Sequence, residues 1–208
     1  TVTIWERGQL YASVDGGANW QSILHVTEDE PIEVEFAWKN SAGKYIKTMG
    51  TTNGSNDQLH ITRNMNTGIS TLVVDNPNVN ANVGYHYDDY HSYMMQVISH
   101  EAYRLALKTE KSQTPVYDYI GEVGSQIPVE MLFGQPSQGL KPYGGALTVS
   151  EGIVLEDNNA TGAYVMKILK EGKHTISFKH ACNGDCPNVC DIAGKTFTVN
   201  VEGIPKSS

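Results

Sequence analysis

The chain has 208 residues, with 39% hydrophobic and 18% charged side chains and a formal net charge of -8 at pH 7. A chain of this size buries about 70% of its unfolded surface on folding, and this composition excludes disorder as its main state. The 15 Lys and Arg residues form no cluster and no apolar run approaches the ~20 residues of a bilayer span, so we expect no nucleic-acid partner and no membrane span.

Segments with period-2 alternation dominate the chain and are rich in Val, Ile, Thr and aromatic residues. Gly, Asn, Asp and Pro bound them, as is typical of turns. They predict strands near 2–5, 9–13, 20–26, 32–39, 44–49, 59–62, 69–74, 116–120, 129–133, 146–149, 153–156, 162–168, 174–180 and 195–201. So many short strands indicate a mainly β protein, either a sandwich or a jelly roll.

Residues 13–20 match the Asp-box pattern S-x-D-x-G-x-x-W, with Ser13, Asp15 and Trp20 at its fixed positions. In this pattern the Asp side chain caps a hairpin turn and the Trp folds back over it. One copy without a repeat period does not make a propeller, so the pattern predicts a structural role.

One segment, from about 90 to 108, predicts a helix because its apolar residues recur at helical spacing after the possible caps Asp88 and Asp89. Two architectures stay open. The first is a single jelly-roll sandwich over 1–208, with an insertion at about 50–142 that carries the helix. The second is two small Ig-like sandwiches with a boundary near 112, and no internal sequence repeat decides between them.

The three cysteines, Cys182, Cys186 and Cys190, lie in one predicted loop that follows His180. We favour an oxidised pair such as Cys182 with Cys190, which implies an oxidising compartment and leaves one thiol for a possible homo-oligomer. A zinc site with His180 and three free thiols are the alternatives. The chain starts without Met, which is compatible with processing, and we expect an extracytoplasmic protein: secreted, periplasmic or at the cell surface.

A second metal-like group consists of His86, Asp88 and His91. It supports an alternative hypothesis, an extracellular metal-dependent enzyme with the sandwich as a scaffold. No nucleophile elbow, phosphate loop or H-E-x-x-H motif is present, so we favour a binding function over an enzyme. A structural subunit of a surface assembly is a third hypothesis.

If the strands from residue 153 onward form a plain meander, the loops at 156–159 and 181–191 meet at one end. Asp and Asn oxygens are the ligands that calcium prefers. Asn and Asp are also common turn formers, which is the simpler interpretation of both loops.

Both ends of the chain resemble the calcium-dependent, galactose-binding lectins of the PA-IL type. Residues 5–12, 22–26 and 32–36 are similar to the opening strands of that family, and residues 145–147, 161–164, 173–177 and 194–201 to its closing strands. The resemblance implies a jelly roll whose last hairpin loop binds calcium, with the ion binding sugar hydroxyls. The family has Asn-Asp and Asn-Asn in that loop. Here Gly184 and Asp185 occupy the first pair and no Asn-Asn follows, so the transfer extends only to Asp185, and galactose specificity does not transfer.

We therefore expect a module that binds carbohydrate or a cell-surface ligand with the help of calcium. The expected metal ligands are Asp185, Asn188 and Asp191. The expected ligand-binding residues are Tyr143, Tyr164, Asp157 and Asn159, with a tyrosine ring stacked on the sugar.

Overall fold

The structure is a computed structural model that describes residues 6–48, 52–88, 91–160, 162–180 and 194–207. It divides into two compact units, unit 1 (Thr1–Ala102) and unit 2 (Tyr103–Ser208). Each unit has its own cluster of buried apolar side chains.

The described part of unit 1 contains nine strands. They are β1 (Glu6–Ser13), β2 (Ile23–Thr27), β3 (Ile32–Lys39), β4 (Tyr45–Lys47), β5 (Thr52–Gly54), β6 (Leu59–Arg63), β7 (Ser70–Val74), β8 (Asn80–His86) and β9 (His91–His100). One sheet has β1, β3, β7 and β6 in that order, with β4 also paired to β3. The other has β5, β8 and β9, with β2 parallel to β9.

Unit 2 also has nine strands within its described residues. They are β10 (Arg104–Thr109), β11 (Asp118–Glu122), β12 (Gln126–Gly134), β13 (Lys141–Pro142), β14 (Thr148–Val149), β15 (Ile153–Ala160), β16 (Ala163–Ile168), β17 (Gly172–Lys179) and β18 (Thr196–Ile204). A single 3-10 turn, Pro136–Gln138, precedes β13. One sheet has the order β10, β12, β16, β15 and the other the order β11, β18, β17, β14.

The two units share one strand arrangement. Every strand pairing of unit 2 has its counterpart nine strands earlier in unit 1, including the parallel pairing of the second strand with the ninth. In each unit the first, third, seventh and sixth strands form one sheet and the fifth, eighth and ninth the other, which is the order of the immunoglobulin fold. The predicted mainly β sandwich class is confirmed, in the form of Ig-like sandwiches.

The core of each unit lies between its two sheets because alternate residues of the strands face inward. In unit 1, Leu10, Val34 and Leu72 of the first sheet contact Val83 and Val97 of the second within one buried cluster. The equivalent cluster of unit 2 is built around Leu107, Met131, Met166, Ile176 and Val199. Both cores bury the aliphatic side chains that alternation predicts.

Strand β1 joins the two sheets of unit 1. Its first half pairs parallel with β9, and its second half pairs antiparallel with β3. After an excursion the chain pairs with β9 again through β2. The last β1 pair is Gln9 with Met94 and the first β2 pair is Ile23 with Gln96, so the pairing resumes two residues further along β9. The Gln9 side-chain amide donates to the carbonyls of Ser22 (3.0 Å) and Met94 (3.2 Å), which fixes the base of this excursion.

The tip of the excursion is the Asp-box segment. The Asp15 carboxylate accepts hydrogen bonds from the Asn19 backbone amide (2.9 Å) and the Ser13 hydroxyl (2.7 Å), and the Ser13 hydroxyl accepts from the Gly17 amide (2.9 Å). The Trp20 ring lies against Gly17, whose φ of 92° belongs to the left-handed region. The carboxylate therefore caps the turn, as the pattern predicts.

The predicted helix at 90–108 is wrong, because these residues form β9 and β10. Inward-facing Met95 and Val97 alternate with outward-facing Met94 and Ile98, so apolar residues lie on both faces and Gln96 is the one polar residue between Tyr93 and Ile98. Such a segment fits a strand and a helix equally well in sequence. The pairing of β9 with strands on both sides decides for the strand.

Truncation of one core should destabilise only the unit that contains it. Leu72→Ala and Ile176→Ala each remove a fully buried side chain and should cost about 2–5 kcal/mol of unfolding free energy. All three tryptophans, Trp5, Trp20 and Trp38, belong to unit 1, so their fluorescence follows the unfolding of unit 1 alone. Leu72→Ala should shift the fluorescence transition in urea and Ile176→Ala should not; an equal shift in both variants would contradict separate cores.

Removal of the turn cap should destabilise unit 1 in a pH-dependent way. The amide of Asn19, followed by the Ser13 hydroxyl, lowers the pKa of Asp15 from 3.8 to about 2. A lowered folded-state pKa contributes stability above the unfolded value that is lost as pH falls through about 2. The stability difference between wild type and Asp15→Ala, from urea unfolding, should therefore shrink between pH 4 and pH 2. Asp15→Asn, which has no charge, should show the same narrowing, and a constant difference would refute this role.

Candidate ligand-binding ends of the two units

Aromatic side chains gather at the same end of both units, where the third and eighth strands finish. We define the aromatic end of unit 1 as Trp38, Tyr85, Tyr87 and Tyr93, and the aromatic end of unit 2 as Phe133, Phe178, His180 and Phe197. The equivalence follows from register, since Tyr85 pairs with Tyr93 across β8 and β9 just as Phe178 pairs with Phe197 across β17 and β18.

In unit 1 three of these rings contact one another in a row that ends in an exposed tyrosine. Trp38 stacks on Tyr93 with ring centroids 5.1 Å apart and an interplanar angle of 12°, and Tyr87 lies 5.6 Å from Trp38. Tyr93 in turn packs on the backbone of Gly8, where a Cβ would come within 2.5 Å of the ring. Tyr87 is 58% exposed, whereas Trp38 and Tyr93 are partly buried. An aromatic ring in contact with Trp38 therefore reaches the surface.

A carboxylate and an imidazole lie beside this tyrosine in the β8–β9 hairpin. Nδ1 of His91 is 2.7 and 2.9 Å from the two Asp88 oxygens, so this nitrogen carries the proton that the carboxylate accepts. The Tyr87 amide donates to the His91 carbonyl (3.0 Å), and the two rings are 6.2 Å apart in an edge-to-face arrangement. His86 lies on the outer face of β8 because it alternates with the buried Tyr85.

The aromatic end of unit 2 is packed more tightly. Phe133 contacts Phe178 and Phe197, each at 4.9 Å, and His180 at 6.3 Å. The His180 amide donates to the Lys195 carbonyl (2.9 Å), which is the counterpart of the Tyr87–His91 bond. The two residues of this bond are 15 positions apart in sequence, whereas those of its counterpart in unit 1 are four apart. The connection between the last two strands therefore contains more residues in unit 2 than in unit 1.

Three of the four predicted ligand-binding residues come together near this end. Asp157 pairs with Tyr164 across β15 and β16, and Tyr143 stacks on Phe178 with ring centroids 4.2 Å apart. Burial raises the pKa of Tyr143 and Tyr164, and the charge of Asp157 adds to the rise at Tyr164. Both tyrosines pack against the core of unit 2 and are only partly exposed, whereas Asp157 is exposed.

The turn that joins β15 and β16 and the end of β17 lie at the same end of unit 2. The Met131 amide donates to the Gly162 carbonyl (2.7 Å) and the Tyr143 amide donates to the Met131 carbonyl (2.9 Å). Tyr143 then contacts Phe178, two residues before His180. These contacts connect the end of β16 nearest β15 to the end of β17, whereas the loop at 181–191 that the sequence hypothesis places beside them lies outside the described residues.

Residues 156–159 belong to β15 and do not form the loop that their Asx-rich sequence predicts. A register shift between Asp157 and Ala160 lets the segment, including Asn159, stay in the sheet. Strands β16 and β17 lie in different sheets, so the plain meander on which the convergence of the two loops was conditional does not form. The predicted metal ligands Asp185, Asn188 and Asp191, and the three cysteines, lie outside the described residues.

Among the residues that the structure describes, no three His, Cys, Asp or Glu side chains are placed to share a metal ion. No helix in the same residues has the length and apolarity needed to cross a bilayer. The structure thus pairs Asp88 with His91 and leaves His86 of the alternative metal group on another face.

No protein-family model matches the sequence, and comparison with curated proteins finds no match. Among solved structures, the chain is similar to Ig1-Ig2 of Dpr2, solved in complex with DIP-Theta Ig1-Ig3, with 11% identity, 94% of this chain and 99% of that chain covered, and a TM-score of 0.43. Domains 4 and 5 of the S-layer protein SbsC are 12% identical, with 95% of this chain and 98% of that chain covered and a TM-score of 0.33. The Escherichia coli adhesin FdeC is 15% identical, with 94% of this chain and 65% of that chain covered and a TM-score of 0.31. At these identities and TM-scores the likenesses carry no statement about function.

Neutralisation of Asp157 should lower the pKa of Tyr164, because the carboxylate charge disfavours the phenolate across the strand pair. A pH titration of Asp157→Asn, followed by NMR of 13C-labelled tyrosine rings, measures this pKa directly. The matched control is Glu156→Gln on the same strand, whose carboxylate accepts a bond from Lys167 at 2.8 Å. An unchanged Tyr164 titration in Asp157→Asn would show that the two groups do not interact.

Proposed function

We propose that the chain is an extracellular binding module for carbohydrate or another cell-surface ligand, and that the aromatic end of unit 1 makes the principal contact. The observation that supports this most directly is Tyr87, whose ring is 58% exposed and held in place by Trp38 and His91. A fixed exposed ring loses little conformational entropy when a ligand covers it.

The groups around Tyr87 suit a sugar. The ring offers an apolar face to the C–H groups of a pyranose, and the neighbouring Asp88 carboxylate offers two oxygens to hydroxyl donors. His91 holds the carboxylate through Nδ1, which orients those oxygens. Apolar contact combined with a few placed polar groups is the usual composition of a small-molecule site.

We place a second, calcium-assisted contact at the aromatic end of unit 2, where the supporting evidence is less direct than at Tyr87. Tyr143 gives one ring face to Phe178 and is only partly exposed, so less of it can stack on a sugar. Calcium ligation by Asp185, Asn188 and Asp191, with Asp157 and Asn159 contributing to ligand binding, stays a prediction from the sequence, as does the resemblance to PA-IL-type lectins. The extracytoplasmic location and a homo-oligomer are part of the same proposal.

Removal of the Tyr87 ring should weaken binding. On a glycan array followed by calorimetry with the best ligand, Tyr87→Ala should weaken affinity about thirtyfold, which corresponds to about 2 kcal/mol and is typical of a central contact residue. Tyr87→Phe keeps the ring and should stay within about threefold of wild type. Met65→Ala, which removes a 72% exposed apolar side chain elsewhere in unit 1, is the matched control.

The same titrations with calcium and with EDTA distinguish binding at the aromatic end of unit 1 from binding at the aromatic end of unit 2. Loss of binding in EDTA together with an unaffected Tyr87→Ala variant would assign binding to unit 2 and contradict the principal role of Tyr87. The absence of any glycan ligand for the wild-type chain would contradict the carbohydrate proposal itself.

A further inference from the structure

Two histidines from distant parts of the chain meet on the outer face of unit 1. His25 of β2 and His100 at the end of β9 place Nδ1 and Nε2 2.8 Å apart, with ring centroids 5.1 Å apart and an interplanar angle of 30°. Neither residue belongs to the aromatic end described above, and β9 separates His100 from His91 by its full length.

The sheet register places these two rings on one face. In the parallel pairing of β2 with β9, His25 lies opposite Ile98 and Thr27 lies opposite His100. The alternate residues Leu24 and Val26 are buried in the core, so His25 faces outward. Both rings are thereby carried on paired strands, which fix their backbones relative to each other.

The two nitrogens are at hydrogen-bond distance, so one ring donates its N–H to the other. Their separation is also close to that of a chelate, which forms when a metal ion displaces this proton. Imidazole nitrogens bind a first-row divalent ion at about 2.0–2.1 Å, and two such bonds at a right angle place the nitrogens about 2.9 Å apart. We propose that His25 and His100 form a bidentate site for a divalent transition-metal ion, with water completing the coordination shell. Cu2+, Ni2+ and Zn2+ are the ions that accept imidazole ligands, and Ca2+ and Mg2+ are not.

The surroundings of the pair include negative charge. Burial, and secondarily the neighbouring His25, lower the pKa of His100. Carboxylates flank the pair in sequence: Glu28 donates its backbone amide to the His100 carbonyl (2.9 Å), and Glu101 follows His100 directly. Their negative charge attracts a cation to this part of unit 1.

The experiment measures metal binding to the full chain without a polyhistidine tag, in a background in which Cys182, Cys186 and Cys190 are replaced by Ser. Calorimetry with Ni2+ and Zn2+, and electron paramagnetic resonance with one equivalent of Cu2+, give affinity and ligand type. We expect one ion per chain, nitrogen hyperfine structure from two imidazoles, and no heat with Ca2+ or Mg2+ at this site.

His25→Ala and His100→Ala should each weaken binding at least about tenfold, because each removes one of two protein ligands. The control is His60→Ala, which removes an exposed histidine that pairs with Asp75 on another sheet edge. If the serine background does not fold, the wild-type chain with alkylated thiols replaces it. Binding that survives both His25→Ala and His100→Ala, or no binding below millimolar Ni2+, would overturn the proposal, and neither result bears on glycan binding at Tyr87.

Discussion

The parallel pairing of the last strand of each unit with a segment from its beginning is the constraint on which the structure depends. β9 pairs antiparallel with β8 on one edge and parallel with β1 and β2 on the other, and β18 repeats the second arrangement with β11. Such closure joins residues more than 70 positions apart, and its cost in chain entropy grows only slowly with loop length. The Gln9 amide, bonded to Ser22 and Met94, secures this pairing where the Asp-box excursion interrupts it.

The same closure explains why two units with one architecture show no sequence repeat. The pairings require inward-facing apolar side chains at alternate positions and turns of suitable length, but no particular residue. Trp38, Tyr85 and Tyr93 in unit 1 thus occupy the register positions of Phe133, Phe178 and Phe197 in unit 2. Both units thus have an aromatic ring at each of these positions, and their likeness is visible in the strand register and not in the amino-acid sequence.

Alternation predicts most strands and the sandwich class, but it ends the strand before Asp157, whose pairing with Tyr164 comes from the structure. It failed at β9, where Met94 and Ile98 add apolar side chains to the outer face and conceal the period. The contacts Trp38–Tyr87 and His25–His100 could not be predicted at all. Each joins strands that are distant in sequence, and a shift of one residue in register would turn either partner to the opposite face.

β9 places the two proposed sites of unit 1 far apart. His91 begins the strand and His100 ends it, and nine steps of about 3.3 Å separate them by about 30 Å. Sites at this distance with no shared partner act independently, so substitutions at one should add to those at the other. An ion bound by His25 and His100 would link β2 to β9 and would stabilise their parallel pairing by mass action. Gly8 of β1 is held against Tyr93 by the neighbouring pairing of β1 with β9, so metal binding would raise the stability of unit 1 as a whole without altering the contacts of Tyr87.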